Sequence, residues 1–458
     1  MKNVNISDIE HKKMTESPVS RLVLALSIPT VISMLMTSIY NMADTYFVSS
    51  LGDSAVGGVG IVYSLQSIIQ AVGFGLSMGC GSLVSIKLGE KKNDEANKYL
   101  SSAFFFAMVC GALMMALCFI NLDGMLLFFG STETILPYAR GYATVILIAA
   151  PFACSSFVVN NSLRAQGKAR LSMVANLAGG LINIILDPIF IFTFGMGVVG
   201  AAVATAISQL INLFISTWFY FSSKSIIRLS PKYISRCPSD YWRIIKTGAP
   251  TVFRQGLGSV ATTLLNIAIK PFGDGAIAAV SLANKVYMMI RGVVLGIGQG
   301  FQPVAGYNFG AKKYGRVKKA FVVATLLGSA VACAGALFIA VFPAQVMEFF
   351  RDGDTEVVET GTRMLRYLAL ALPFLGYSSY VNMMYQSLGF VKGATFLASC
   401  RQGVFFVPLI LTLPYVFGID GVLVSQSVAD ILTFLISIPF CIVFIRKNLS
   451  GKDLIHNL

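Results

Sequence analysis

The sequence predicts an all-α polytopic membrane protein: twelve transmembrane helices arranged as two six-helix lobes about a pseudo-two-fold axis. Three observations carry this. Only 12% of the 458 residues are charged while 55% are hydrophobic, whereas soluble domains carry about 25% charged residues. Apolar windows long enough to cross a bilayer recur along the whole chain. The chain also repeats itself at one constant offset.

The windows fall at residues 21–49, 55–86, 98–120, 133–158, 168–194, 198–221, 242–268, 276–306, 317–343, 360–388, 393–417 and 421–445. They divide the chain into a tail 1–20, an N-lobe 21–221, a basic linker 222–241, a C-lobe 242–446 and a tail 447–458. Between windows lie most of the lysines and arginines. One side collects Lys12, Lys13, Lys87, Lys91, Lys92, Arg164, Lys168, the linker cations from Lys224 to Arg236, Lys312, Lys313, Lys392, Arg401 and Arg446. The other side has Arg140, Lys270, Arg351, Arg363 and Arg366. The positive-inside rule then expects both termini and the linker in the cytoplasm. The net charge of +14 is thereby a topology signal, and nucleic acid is not expected as a partner.

A polar tail precedes a first window too long for a signal-peptide core, so no cleavable signal is expected. The eight cysteines mostly lie within windows and offer neither a disulfide framework nor metal spacing. His11 and His456 sit in the tails. With no histidine–acid pair in the body of the chain, a membrane enzyme is disfavoured. The expectation is a non-enzyme without cofactors, and without any metal beyond Na⁺ as a transported ion.

The repeat has an offset of 221. It carries Pro29 to Pro250, Gly52-Asp53 to Gly273-Asp274, Gly75 to Gly296, Gly79 to Gly300, Lys91-Lys92 to Lys312-Lys313, and Gly197 and Gly200 to Gly418 and Gly421. Six windows per half make the halves parallel, and transporters built from repeats place their sites between or within such halves.

Polar residues inside apolar helices mark function by default. In the first window Thr37, Asn41 and Asp44 share one face, with Tyr40 four before Asp44. Asn176, Gly180, Asn183 and Asp187 do so in the fifth, and Thr205, Gln209, Asn212 and Ser216 in the sixth. Helical rise puts Asp44, Asp187 and Thr205 roughly 9–12 Å below the outer surface, with Asn183 about 16 Å below it. Two carboxylates, an amide oxygen and a hydroxyl suit a hard cation such as Na⁺. Two carboxyls in a dry site equally suit a shared proton, since like charges oppose double ionisation. Shifted by 221, Asp44 falls on Leu265 and Asp187 on Pro408. The second half instead carries Arg254, Lys285 and Arg291 within its windows, with Gln255 beside the first. Pairing or packing is preferred to substrate contact for these cations.

The stretches NMADTYFVSSLG, LINIILDPIF, GMGVVGAAVAT and GIGQGFQPVAGYNFGAKK together make the chain resemble the multidrug and toxic compound extrusion (MATE) family over nearly its whole length, with the last stretch closest to the MepA-like and DinF-like branch. The resemblance implies cation-driven export of amphipathic, often cationic, drugs by a multi-pass protein of the bacterial cytoplasmic membrane, expected to be a monomer. It implies a cation-coupling site of Asp44, Asn183, Asp187 and Thr205, a polar network that includes Asn160, and a helix-bending role for Pro29. Tyr40, Asn41, Asn176, Gln209, Gln255, Arg254 and Lys285 are grouped with Asn160 around the substrate cavity. No acid occurs in TTLLNIAIK or YSSYVNMMYQSLG, where another branch of the family carries acids, so ion coupling is expected in the N-lobe. The alternative is a lipid-linked saccharide flippase of the same superfamily.

Overall fold

The computed structural model describes residues 6–222, 224–350 and 354–449. Arg351, His456 and most of the tail 447–458 lie outside the described residues. Among the described residues the long elements are all helical. They are α1 (Val19–Ser49), α2 (Asp53–Gly89), α3 (Asn93–Ile120), α4 (Leu136–Ala165), α5 (Ala169–Thr193), α6 (Gly197–Phe221), α7 (Pro238–Ile269), α8 (Asp274–Gly310), α9 (Tyr314–Val341), α10 (Thr355–Ser387), α11 (Val391–Phe417) and α12 (Ile419–Asn448). Ten of them are long and apolar enough to cross a membrane by composition. The remaining two, α7 and α10, have 32 and 33 residues, so length suffices. Their polar residues, among them Arg254, Gln255, Arg363 and Arg366, lower their hydropathy.

The backbone obeys the repeat. The non-glycine residues with positive φ are Lys91 (61°) and Lys312 (58°), 221 apart, each closing a turn between long helices. Gly52 (97°) and Gly273 (95°) precede α2 and α8 in the same way, and Gly197 (56°) and Gly418 (58°) precede most of α6 and α12. These φ values are costly for residues with a Cβ, which explains why glycine recurs at the offset.

The chain forms two compact units. The first comprises residues 1–16 and 32–252, the second residues 17–31 and 253–458. The division does not follow the linker. It falls inside α1 between Val31 and Ile32, and inside α7 between Val252 and Phe253, again 221 apart. Within the first unit, a Cβ on Gly79 of α2 would stand 2.1 Å from the Ile244 carbonyl oxygen of α7, and one on Gly248 the same distance from the Gly75 carbonyl. Within the second unit, a Cβ on Gly300 of α8 would stand 2.5 Å from the Ser27 backbone of α1. There Thr30 Oγ1 donates to the Gly296 carbonyl at 2.6 Å. Small residues let backbones meet where lipid supplies no hydrophobic drive.

The linker is held by α3 of the first unit. The Arg228 amide donates to Asn97 Oδ1 (2.7 Å) and the Ser235 amide to Ser102 Oγ (2.8 Å). Lys98 Nζ lies 2.6 Å from Asp240 Oδ2.

Two helices carry π-helical turns: Ile189–Thr193 in α5, and Cys400–Phe406 in α11. Pro188 adjoins the first and Pro408 the second. Proline has no N–H to give, so the helical ladder must shift around it. Such turns often sit at functional sites, and both adjoin the polar clusters below.

Candidate functional site

Glycines bring the acidic helices of the first unit together. A Cβ on Gly180 of α5 would lie 3.0 Å from Met36 and 3.2 Å from the Tyr40 ring of α1. Asp44 is one turn beyond Tyr40, and Asn183 and Asp187 one and two turns beyond Gly180, so the crossing aligns their faces. On the other side of α5, a Cβ on Gly179 would meet the Ser208 carbonyl of α6 at 3.1 Å. One turn away, Thr205 faces Asn183.

The contacts follow from that placement. Asn183 Nδ2 donates to Asp187 Oδ1 (3.3 Å) and approaches Thr205 Oγ1 (3.5 Å). Asp187 is fully buried, Asn183 is buried and Asp44 is half-buried. Asp44 and Asp187 lie within electrostatic reach of each other and of Tyr142 on α4, which stands near Thr205. Three oxygens of the cluster are buried with no hydrogen-bond donor: Asp44 Oδ1, Asn183 Oδ1 and Asp187 Oδ2. Buried acceptors are normally paired, and a vacant carboxylate oxygen is costly. Three such oxygens beside a hydroxyl form a donor set suited to Na⁺, or to protons on the carboxyls.

Of the wider polar group, Asn160 and Asn176 are joined through Asn212. Asn160 Nδ2 donates to Asn212 Oδ1 at 2.6 Å, and Asn212 Nδ2 donates to Asn176 Oδ1 at 2.8 Å. Ser156 also donates to Asn212 Oδ1 (3.0 Å), while Ser172 donates to Asn160 Oδ1 (3.1 Å). Ser172 in turn accepts from Arg164 (3.3 Å). A ladder of amides thus runs along α4, α5 and α6 from the level of Gly179 toward Arg164. The Tyr40 ring faces Gly180 of α5, and Thr37 donates to the Ser33 carbonyl (2.9 Å). Asn41 is exposed and Gln209 half-buried, and neither side chain bonds to a described residue. Pro29 lies inside α1.

The second unit corrects the sequence reading in one respect. The charge pattern places Arg401 among the loop cations of the cytoplasmic side, but it lies inside α11, in the π-helical turn. Its Nε donates to Asp430 Oδ1 of α12 at 2.6 Å, and its Nη2 to the Tyr287 hydroxyl of α8 at 2.6 Å. Tyr287 donates to Asp430 Oδ2 (2.8 Å) and Gln426 Nε2 to Asp430 Oδ1 (2.9 Å). Asp430 is 1% exposed. The second half therefore does hold a buried acid, though at neither repeat partner of Asp44 and Asp187. Sequence reasoning passed over Asp430 and Tyr142. An aspartate in the apolar run ADILTFL was the available signal for the first, while nothing in its window singles out Tyr142. Arg254 and Gln255 are half-buried, and Lys285 is exposed.

The sequence model of the MatE family matches residues 29–189 and 250–412, one match per half. Multidrug export protein MepA of Staphylococcus saprophyticus is 26% identical over 91% of this chain and 92% of its own length. The Staphylococcus aureus MepA of strain MRSA252 is 27% identical over the same shares. Among solved structures, an outward-facing multidrug resistance MATE transporter of the MOP superfamily superposes with a TM-score of 0.90 at 24% identity, covering 95% of this chain and 97% of its own.

Proposed function

Because the chain belongs to the MatE family of membrane transporters, we propose that it is a secondary active multidrug efflux antiporter, exporting amphipathic and cationic compounds in exchange for Na⁺ or H⁺. It is a transporter and not an enzyme. The observation that carries the coupling is the set of donorless oxygens on Asp44, Asn183 and Asp187. The relatives' multidrug export and the apolar composition support the substrate class.

The site works through differential packing. Without an ion, two carboxylates close together in a poorly hydrated place repel one another. A bound Na⁺, or a proton on one carboxyl, removes that repulsion and draws α1 against α5 and α6. Thr205 and Asn183 complete the oxygen set. Since α1 is one continuous helix whose residues 19–31 count with the second unit, its repacking at Asp44 biases both units. Pro29, just before the division, is the place to bend, since its ring forbids a regular ladder. The ion then exchanges sides as the lobes rock. The termini and linker face the cytoplasm in this reading, by the distribution of basic loops, and the working unit is the monomer.

Ethidium efflux from cells carrying Asp44→Asn or Asp187→Asn, at wild-type expression, tests the proposal. The expected result is a loss of about tenfold or more, equivalent to about 1.4 kcal/mol of coupling. Wild-type efflux from both variants would sink it. A Na⁺ gradient imposed on proteoliposomes at clamped pH identifies the ion.

A further inference from the structure

The arginines of the second unit are not used by the acid site. Asp430 is saturated: Arg401 and Gln426 donate to Oδ1, and Tyr287 and Arg401 to Oδ2. Its hydrogen bonds to a guanidinium go to Arg401, while Arg291 lies within its electrostatic reach. Arg254 of α7 and Arg291 of α8 converge on the same place. Leu257, one turn from Arg254, lies 3.1 Å from where a Cβ on Gly403 would stand, two residues from Arg401. Tyr287, one turn from Arg291, bonds to Arg401 directly. Arg254 and Arg291 lie within electrostatic reach of Arg401 and of each other.

Neither makes a close ion pair among the described residues, and Arg291 shares Asp430 with Arg401 only at longer range. Arg291 Nε is buried with no acceptor, and its Nη1 reaches only the Met288 sulfur, at 3.4 Å. Both residues stand near the middle of long helices, where an uncompensated charge is most expensive. Space adjoins Arg254: outside α7's own backbone, nothing lies within 4 Å of a Cβ placed on Gly258, one turn on along the same face. Three guanidiniums on one carboxylate, with room alongside, make a site short of negative charge. Planar guanidinium forks match carboxylate, sulfonate and phosphate oxygens.

We propose that the second unit holds a subsite for an oxyanion headgroup on an apolar body, bound by Arg254 and Arg291 and backed by Arg401. Its ligands are anionic or zwitterionic amphiphiles, a class the acid site of the first unit would repel. Arg401 is the positioning residue: locked by Asp430 and Tyr287, it holds its charge fixed while the other two arginines engage the ligand. The subsite goes beyond the antiport reading and does not depend on ion coupling.

The test is equilibrium binding of carboxyfluorescein, followed by anisotropy, to the full chain in phosphatidylcholine nanodiscs, with ethidium as the cationic control. Arg254→Gln and Arg291→Gln should each weaken carboxyfluorescein about tenfold or more and shift ethidium by less than about twofold. Inorganic phosphate should displace the probe from the wild type, a readout that needs no variant. Discs containing phosphatidylglycerol separate two sources of the headgroup. Weaker probe binding there, abolished in the double variant, assigns the subsite to a lipid phosphate; unchanged binding assigns it to a soluble amphiphile. Both outcomes uphold the oxyanion site. It is overturned if the wild type shows no saturable binding below about 1 mM, or if the double variant, melting as the wild type does, binds carboxyfluorescein with unchanged affinity.

Discussion

By the 221-residue offset, Thr205 of the first unit corresponds to Gln426 of the second, Gln209 to Asp430, and Gly180 to Arg401. In the first unit Thr205 lies beside the Asn183–Asp187 pair, and one oxygen each of Asp44 and Asp187 lacks a donor among the described residues. In the second they build a carboxylate whose both oxygens are filled by Arg401, Tyr287 and Gln426. The backbone is shared down to the positive φ values of Lys91 and Lys312. Duplication thus preserved the turns and close crossings, which have few steric solutions, and left the polar side chains free to diverge. One half keeps two carboxyl groups each with an oxygen that lacks a donor among the described residues. The other closes its acid with a fixed cation and leaves two further cations over.

Six substitutions probe this contrast, in falling order of effect. Asp430→Ala strands a buried guanidinium and should cost about 3–5 kcal/mol of stability, read by thermal unfolding in detergent. A change below about 1 kcal/mol there would mean that the second unit's acid is not closed. Gly79→Ala and Gly300→Ala press a methyl into facing backbone and should each cost about 1–3 kcal/mol. If only one of them did so, the close crossings would not be equivalent. Asn212→Ala removes the joint between Asn160 and Asn176 and should cost about 1 kcal/mol, while Gln209→Ala, with no partner to lose, should change melting little. Lys285→Ala, at an exposed position, should stay within about 0.5 kcal/mol and leave carboxyfluorescein binding unchanged. A large loss of that binding would add Lys285 to the arginine group.

Much of the first unit's site was legible because a carboxylate in an apolar window stands out by cost alone, and helical periodicity then gives its face. Asp44, Asn183, Asp187 and Thr205 are all found that way. The repeat was legible because glycine and proline are pinned by backbone geometry. Arg401 was misread because it follows Lys392 within a few residues, and charge counting weighs position along the chain. Only the packing of α11 on α12 reveals its partner, 29 residues away. Tyr142 was illegible for a related reason: a tyrosine near a helix start looks like an interfacial anchor, and its nearness to Thr205 and the acids exists only in three dimensions. The windows also understate α7 and α10, whose polar faces lower the very hydropathy used to find them.

The division of α1 after Val31 and of α7 after Val252 bears on how the molecule holds together as a chain. Residues 17–31 precede the linker yet complete the second unit, and residues 238–252 follow it yet complete the first. Each half lends the other an arm, as the protomers of a swapped dimer do, with the linker fusing the pair. Fragments 1–222 and 224–458 made separately would each present an unfilled groove, one at Gly75 and Gly79, the other at Gly296 and Gly300. Made together, each fragment would supply what its counterpart lacks, so assembly of the severed chain would be mutual or not occur at all.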